Sequence, residues 1–156
     1  MDLPVIYKMV KLIKISKNEL PEIIRISYEG DKDLLDKYHI NKYTLEGAVK
    51  KELELIEKMS TQLQLTYLKV LNADKVIGYV VKSGNFLYSF AISIYYRTSR
   101  ILKEWWEALC LEMGDKFKVG LMSNNTRAIE YLKKRGLYIT WQENDGEAIK
   151  EILLTS

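Results

Sequence analysis

The side chains in this chain that could move a proton or attack a carbon are few, and most stand alone. His39 is the sole histidine and has no cysteine or paired acid beside it, which favours a surface role over catalysis. Cys110 lies among apolar residues at helical spacing, the setting of an inert core thiol. One cysteine also excludes an internal disulfide and any CxxC metal cluster. No acid occurs between Asp74 and Glu104, where Tyr88, Ser89, Ser93 and Tyr95 are the only polar groups of one predicted strand. A carboxylate base would have to come from Glu29, Asp31, Asp33 or Asp36, or from Glu143 and Asp145, and each reads as a solvated loop charge. Two helix starts complete the inventory. Thr98 or Ser99 opens one and Asn125 the other, all good capping residues. A helix start presents amide protons without intrahelical partners and a dipole that favours negative charge.

The elements that must position these groups follow from periodicity. Val5 to Ile15 alternates enough for a first strand. Ser16-x-x-Glu19 is a capping box, and Leu20, Ile23, Ile24 and Ser27 follow at helical spacing, with Pro21 in the tolerant first turn. Glu29 to Tyr43 is a loop or a short helix. Thr44 caps a second helix whose apolar stripe is Leu45, Ala48, Val49, Leu53, Ile56 and Met59. From Leu63 the period becomes two. Strands to Leu71, over Val76–Lys82 and over Phe86–Tyr95 form an antiparallel meander with turns at Asn72–Lys75 and Ser83–Asn85.

A helix then runs to Met113, with Ile101, Leu102, Trp105, Trp106, Leu109, Cys110 and Met113 over nearly half its circumference. Trp106 either edges a subunit contact or forms a second buried flank. Asp115–Met122 is a strand, Asn125 caps a helix to Arg135, and Gly136 fits its C-terminal stop. Leu137–Trp141 and Ala148–Leu154 make a last hairpin. The order β-α-α-β-β-β-α-β-α-β-β predicts an α/β fold with a mixed sheet.

Composition sets the outer bounds. The 156 residues are 47% hydrophobic and 29% charged, which fits one folded domain over 1–156. A net charge of +3 is too small to argue for nucleic acid or a membrane surface, and neither partner is expected. The longest run without a charge, Ser83–Tyr96, is 14 residues, short of the roughly 20 that a spanning helix needs. With a single free cysteine and no signal peptide, a soluble cytoplasmic protein is expected.

The run NTRAIEYLKKRGL, Asn125 to Leu137, resembles the CoA-proximal helix of the GNAT superfamily of N-acetyltransferases. The opening Ile15-Ser16-Lys17-Asn18-Glu19-Leu20-Pro21 and the element order are similar to that family too. The resemblance implies a mostly antiparallel mixed sheet of about seven strands, flanked by about four helices. It implies acetyl transfer from acetyl-CoA to an amine, small-molecule or peptide, by direct attack; a homodimer would follow if Trp106 edges a subunit contact. The family's pyrophosphate loop, Arg/Gln-x-x-Gly-x-Gly/Ala, aligns with Arg97-Thr98-Ser99-Arg100-Ile101-Leu102, and Arg100 and Leu102 replace its two small residues.

By the same resemblance Arg97, Thr98, Ser99, Arg100, Ile101 and Leu102 would hold CoA with Asn125. Ile92 and Ile94 would lie where the fourth strand splays and exposes backbone to the pantetheine. The family's general acid is often a tyrosine at the position of Leu132, and the neighbouring Tyr131 reads as a packing residue. Catalytic residues stay unassigned. Two arrangements remain open at the loop: its amides still face phosphate, or the Arg100 and Leu102 side chains fill the space. The second would make the chain a catalytically silent binding or assembly module.

Overall fold

The computed structural model describes residues 9–35, 44–114, 116–122, 125–142 and 151–155. Seven strands form one sheet: β1 Val10–Ile15, β2 Thr66–Asn72, β3 Lys75–Ser83, β4 Phe86–Ile92, β5 Lys118–Met122, β6 Tyr138–Gln142 and β7 Glu151–Thr155. Among the described residues five helices flank it: α1 Leu20–Tyr28, the single turn α2 Lys32–Leu35, α3 Leu45–Ser60, α4 Ser99–Met113 and α5 Thr126–Lys134. The sheet order is β1-β2-β3-β4-β5-β7-β6, so the last strand lies between the two before it. All neighbours are antiparallel except β4 and β5. That is the mixed, mostly antiparallel α/β architecture expected, with the four longer helices joined by one turn at α2.

The sheet divides two cores. On one face Leu20, Ile24 and Tyr28 of α1 and Val49 and Ile56 of α3 pack on Tyr79 and Val81. On the other, Trp105 and Leu109 of α4 and Leu132 of α5 pack on Val70, Val80 and Val119. Strand β3 is buried without a break from Ile77 to Val81, as a strand covered on both sides must be.

Local chemistry sets the helix ends. The capping box closes as expected: the Ser16 N–H donates to Glu19 Oε2 at 3.0 Å, over a 3-10 turn at Lys17–Glu19 that leads into α1. Thr44 Oγ1 accepts from the Gly47 N–H at 3.1 Å, and Thr98 Oγ1 from the Ile101 N–H at 3.3 Å. Gly136 takes φ 98°, and the Leu137 N–H returns to the Leu132 carbonyl at 3.1 Å, closing the end of α5.

Three departures matter. The fourth strand stops at Ile92, not Tyr95, because Ser93 redirects the chain: its N–H donates to the Ile77 carbonyl at 2.7 Å. Its own carbonyl takes the Tyr96 N–H at 2.9 Å, making a 3-10 turn of Ile94–Tyr96. The strand expected from Leu63 begins at Thr66, since the Leu63 N–H still donates to Met59 at the end of α3. On α3 the buried set includes Glu52, whereas Leu53 and Met59 of the expected stripe are half-buried. Of the first strand only Val10–Ile15 falls among the described residues, with Val5–Lys8 outside them. His39, Asp36, Glu143, Asp145 and Ala148–Lys150 also lie outside. Trp106 packs within its own chain, its ring centroid 5.7 Å from that of Phe117 and 6.1 Å from that of Tyr131.

Candidate active site

The sheet opens where its one parallel pair parts. Strands β4 and β5 are in register only at Phe86↔Lys118 and Leu87↔Val119, although β4 runs on to Ile92. Beyond that point a cavity of about 250 Å³ lies against the end of β4. Phe90, Ala91 and Ile92 form one wall, Leu102 and Trp105 of α4 the next, and Asn125, Ala128 and Tyr131 of α5 a third. The fourth side is Asp31, Asp33 and Leu34 from the segment between α1 and α3, and Arg97 and Arg127 also border the space.

The expected site residues divide. Ile92, Arg97, Leu102 and Asn125 meet at this cavity, whereas Ile94, Thr98, Ser99, Arg100 and Ile101 do not line it. Ile94 is carried off by the 3-10 turn, and Ile101 is a core residue, 4% exposed. Thr98 spends its hydroxyl on capping α4. Ser99 is exposed in the first turn. Asn125 stands at the cap position of α5, but its side chain makes no capping bond and borders the cavity instead.

Arg100 is turned outward along α4, where its guanidinium pairs with Glu104 one turn on. Glu104 in turn accepts the Met9 N–H at 2.6 Å and the Val10 N–H at 3.3 Å, tying α4 to the start of β1. Burial pushes the Glu104 carboxyl up, but the bonds from Met9, Arg100 and Val10 outweigh it and hold the group below its usual range. A carboxyl depressed in the folded state adds stability above its unfolded pKa and loses it as the pH falls through the folded value. Glu104→Gln should therefore flatten the acid limb below about pH 4.3, checked by comparing melting temperatures of the two proteins between pH 7 and pH 3.

Asp31 corrects the expectation of a solvated charge. It is 1% exposed, and its backbone N–H donates to the Tyr28 carbonyl at 3.1 Å at the end of α1. Gly30 makes that turn at φ 74°, a left-handed backbone that favours glycine, so the turn that buries Asp31 depends on it. Asp31 Oδ2 accepts from Arg97 Nη2, and Arg97 Nε donates to the Ile92 carbonyl at 2.9 Å. A second pair, Arg127 Nε to Asp33 Oδ2 at 3.1 Å, joins α5 to α2. Glycine after Glu29 was the one local sign of a tight turn, but nothing local showed that an arginine 66 residues away would receive its aspartate.

Tyr131 lies beside Trp105 and Trp106, and its hydroxyl donates to the Leu102 carbonyl at 3.0 Å. Burial pushes its phenol above the usual value, and Arg135, stacked 5.1 Å from the ring, works against that. Leu132 is fully buried core. On the opposite face of the sheet Ser89 Oγ donates to Glu52 Oε1 at 2.6 Å. Ser89 therefore accepts from the Tyr79 hydroxyl at 2.8 Å, and Tyr79 accepts from Tyr28 at 3.1 Å. Burial, with the Glu52 charge adding, pushes the Tyr79 phenol far up, so this ladder stays protonated and structural. Among the described residues no group of three or more His, Cys, Asp and Glu side chains could hold a metal ion. No described helix is long and apolar enough to cross a membrane.

Sequence comparison finds no matching family model and no matching curated protein. Solved structures do match. An acetyltransferase from Thermus thermophilus aligns with 95% of this chain and 96% of its own, at TM-score 0.66 and 10% identity. RimL, described as a ribosomal L7/L12 alpha-N-protein acetyltransferase in complex with coenzyme A, aligns over 96% and 94% at TM-score 0.61 and 8% identity. A GNAT-family acetyltransferase from Bacillus cereus aligns over 95% and 96% at TM-score 0.57 and 14% identity. Identities this low speak to architecture alone, and over nearly its whole length this divergent chain has the GNAT acetyltransferase fold.

Proposed function

We propose that the chain is an N-acetyltransferase that uses acetyl-CoA as co-substrate and passes the acetyl group to an amine by direct attack. The observation that carries this reading is the cavity at the parted β4–β5 pair, where, of the two side chains expected to fill the loop, Arg100 is turned away and Leu102 forms part of the wall. Arg100 is engaged by Glu104, and Leu102 borders the cavity as part of its apolar wall. The first-turn amides of α4 at Ser99 and Arg100 have no intrahelical partners, so they suit an anionic pyrophosphate even without glycine. Asn125, not spent on its helix, would bond the pantetheine, and the apolar walls from Phe90, Leu102 and Trp105 would exclude water from the thioester.

Acetyl-CoA would supply an activated acyl carbon. The chain's own part is to hold the two substrates in line, since well-oriented reactants can gain about 7–11 kcal/mol of barrier. RimL, named for acetylating a protein N-terminus and solved with coenzyme A, supports a peptide or small-molecule amine as acceptor and CoA as the carrier. The free Cys110 fits a reducing compartment, and the reading puts the activity of this single domain in the cytoplasm.

Thermal unfolding in the presence of acetyl-CoA tests the reading. A rise in melting temperature that saturates at micromolar ligand is expected, because a ligand bound only by the folded state stabilises it by mass action. No shift at millimolar acetyl-CoA would overturn it in favour of a silent module.

A further inference from the structure

Among the described residues, four charged side chains border the cavity at the end of β4: Asp31, Asp33, Arg97 and Arg127. They are matched in sign and tied in two pairs. Asp31 Oδ2 accepts from Arg97 Nη2 in the interior, and Arg127 Nε donates to Asp33 Oδ2 at 3.1 Å on the exposed rim. The net charge of the described lining is therefore zero. It stays zero when the rim pair opens, because both of its members remain beside the cavity. The rest of the lining is apolar apart from Asn125, and the Tyr131 hydroxyl is already spent on the Leu102 carbonyl.

We propose that the acceptor is a primary amine carried on an uncharged, apolar body, and that the Asp33–Arg127 pair sets this specificity by cancelling charge at the rim. This rests on the transferase reading and deepens it by naming the class of amine. Two physical effects select such an acceptor. Each methylene moved from water onto walls such as Phe90 and Leu102 is stabilised. A second charge on the acceptor loses hydration there and finds no compensation, since attraction to one member of a pair is offset by repulsion from the other. A polyamine is opposed by Arg127 and an acidic amine by Asp33, so both are disfavoured. The transfer needs no further reactant: nitrogen bonds to the acetyl carbon, the carbon–sulfur bond breaks, and the proton that nitrogen loses ends on the CoA thiol.

The test uses the full chain as wild type, Asp33→Asn and Arg127→Gln, with three amines on one six-carbon chain: hexylamine, 1,6-diaminohexane and 6-aminohexanoate. Acetyl-CoA affinity is measured by calorimetry, and thiol release gives kcat/KM for each amine. Melting temperatures confirm folding, which an exposed ion pair scarcely affects. In wild type, hexylamine should exceed both charged amines by at least about fivefold. Arg127→Gln leaves Asp33 unbalanced and should raise the use of 1,6-diaminohexane relative to hexylamine by at least about twofold. Asp33→Asn leaves Arg127 unbalanced and should do the same for 6-aminohexanoate. Two shifts toward opposite charges are not what a loss of local structure would give.

Either charged amine within about fivefold of hexylamine in wild type overturns the apolar class. A shift smaller than about twofold in either variant overturns the role of the rim pair. Wild type that binds acetyl-CoA but does not acetylate hexylamine overturns the acceptor assignment and leaves the cofactor site standing. Wild type that binds no acetyl-CoA overturns the transferase reading itself, and this one with it.

Discussion

Trp105→Ala should lower the unfolding free energy by about 3–5 kcal/mol, a large part of the 5–15 kcal/mol that holds a typical domain together. Trp105 is 2% exposed and sits at the centre of the core between α4 and the sheet. Its ring stacks on Phe90 with centroids 5.6 Å apart and planes 24° apart, and meets Trp106 at 6.4 Å and Tyr131 at 6.1 Å. Those neighbours belong to a strand, to α4 itself and to α5, so they cannot all collapse into one void. Because the indole N–H has no partner, the loss is one of packing and not of a hydrogen bond. Urea unfolding of wild type, Trp105→Ala and Trp105→Phe separates the two: the phenylalanine should recover more than half of the loss. Leu111→Ala is the control on the same helix. Leu111 is 82% exposed, and its truncation should stay within about 0.5 kcal/mol.

The second large effect falls on Gly78, where the obstacle is contact and not backbone conformation. A Cβ on Gly78 would lie 2.3 Å from the Ala91 carbonyl oxygen and 2.9 Å from Ile92 Cδ1. The first of these is backbone, which cannot rotate aside. Gly78 pairs with Ile92 across β3 and β4, so an added methyl must push apart the strands that carry one wall of the cavity. Gly78→Ala should cost about 1–3 kcal/mol as overpacking. It should also abolish the rise in melting temperature that the proposed function expects with acetyl-CoA, under conditions where the protein is still folded. Both are read in one thermal-shift series with and without ligand. A destabilised protein that keeps the full acetyl-CoA response would show that the close approach serves packing alone.

What the residues revealed in advance was whatever depends on near neighbours. The stripe Ile101, Trp105, Leu109 and Met113 declared the buried face of α4, and Thr44, Thr98 and Gly136 declared helix ends, because each acts within one or two turns. Ile94 was misjudged for a reason that local pattern does not carry. Alternation continues through it, yet Ser93 bonds back to Ile77 on the adjacent strand and turns the chain. Asp31 and Glu52 belong to the same class. Each is a carboxylate in a polar context by sequence, and each is buried because a distant group, Arg97 or Ser89, supplies its hydrogen bond. Arg100 was the reverse case. Its side chain is expected to fill the space at the helix start, and a glutamate one turn later holds it outward.

The position of β7 between β5 and β6 has a consequence for the timing of assembly. During synthesis β6 precedes β7 but has, among the described residues, no sheet neighbour except β7, and β5 keeps one open edge until the same strand arrives. Half of the sheet beyond β4 therefore stays unsealed until residues 151–155 are available, whereas the meander of β2, β3 and β4 pairs locally and early. Two uncovered strand edges are templates for pairing with another chain. The arrival of β7 is thus the single event that covers both edges.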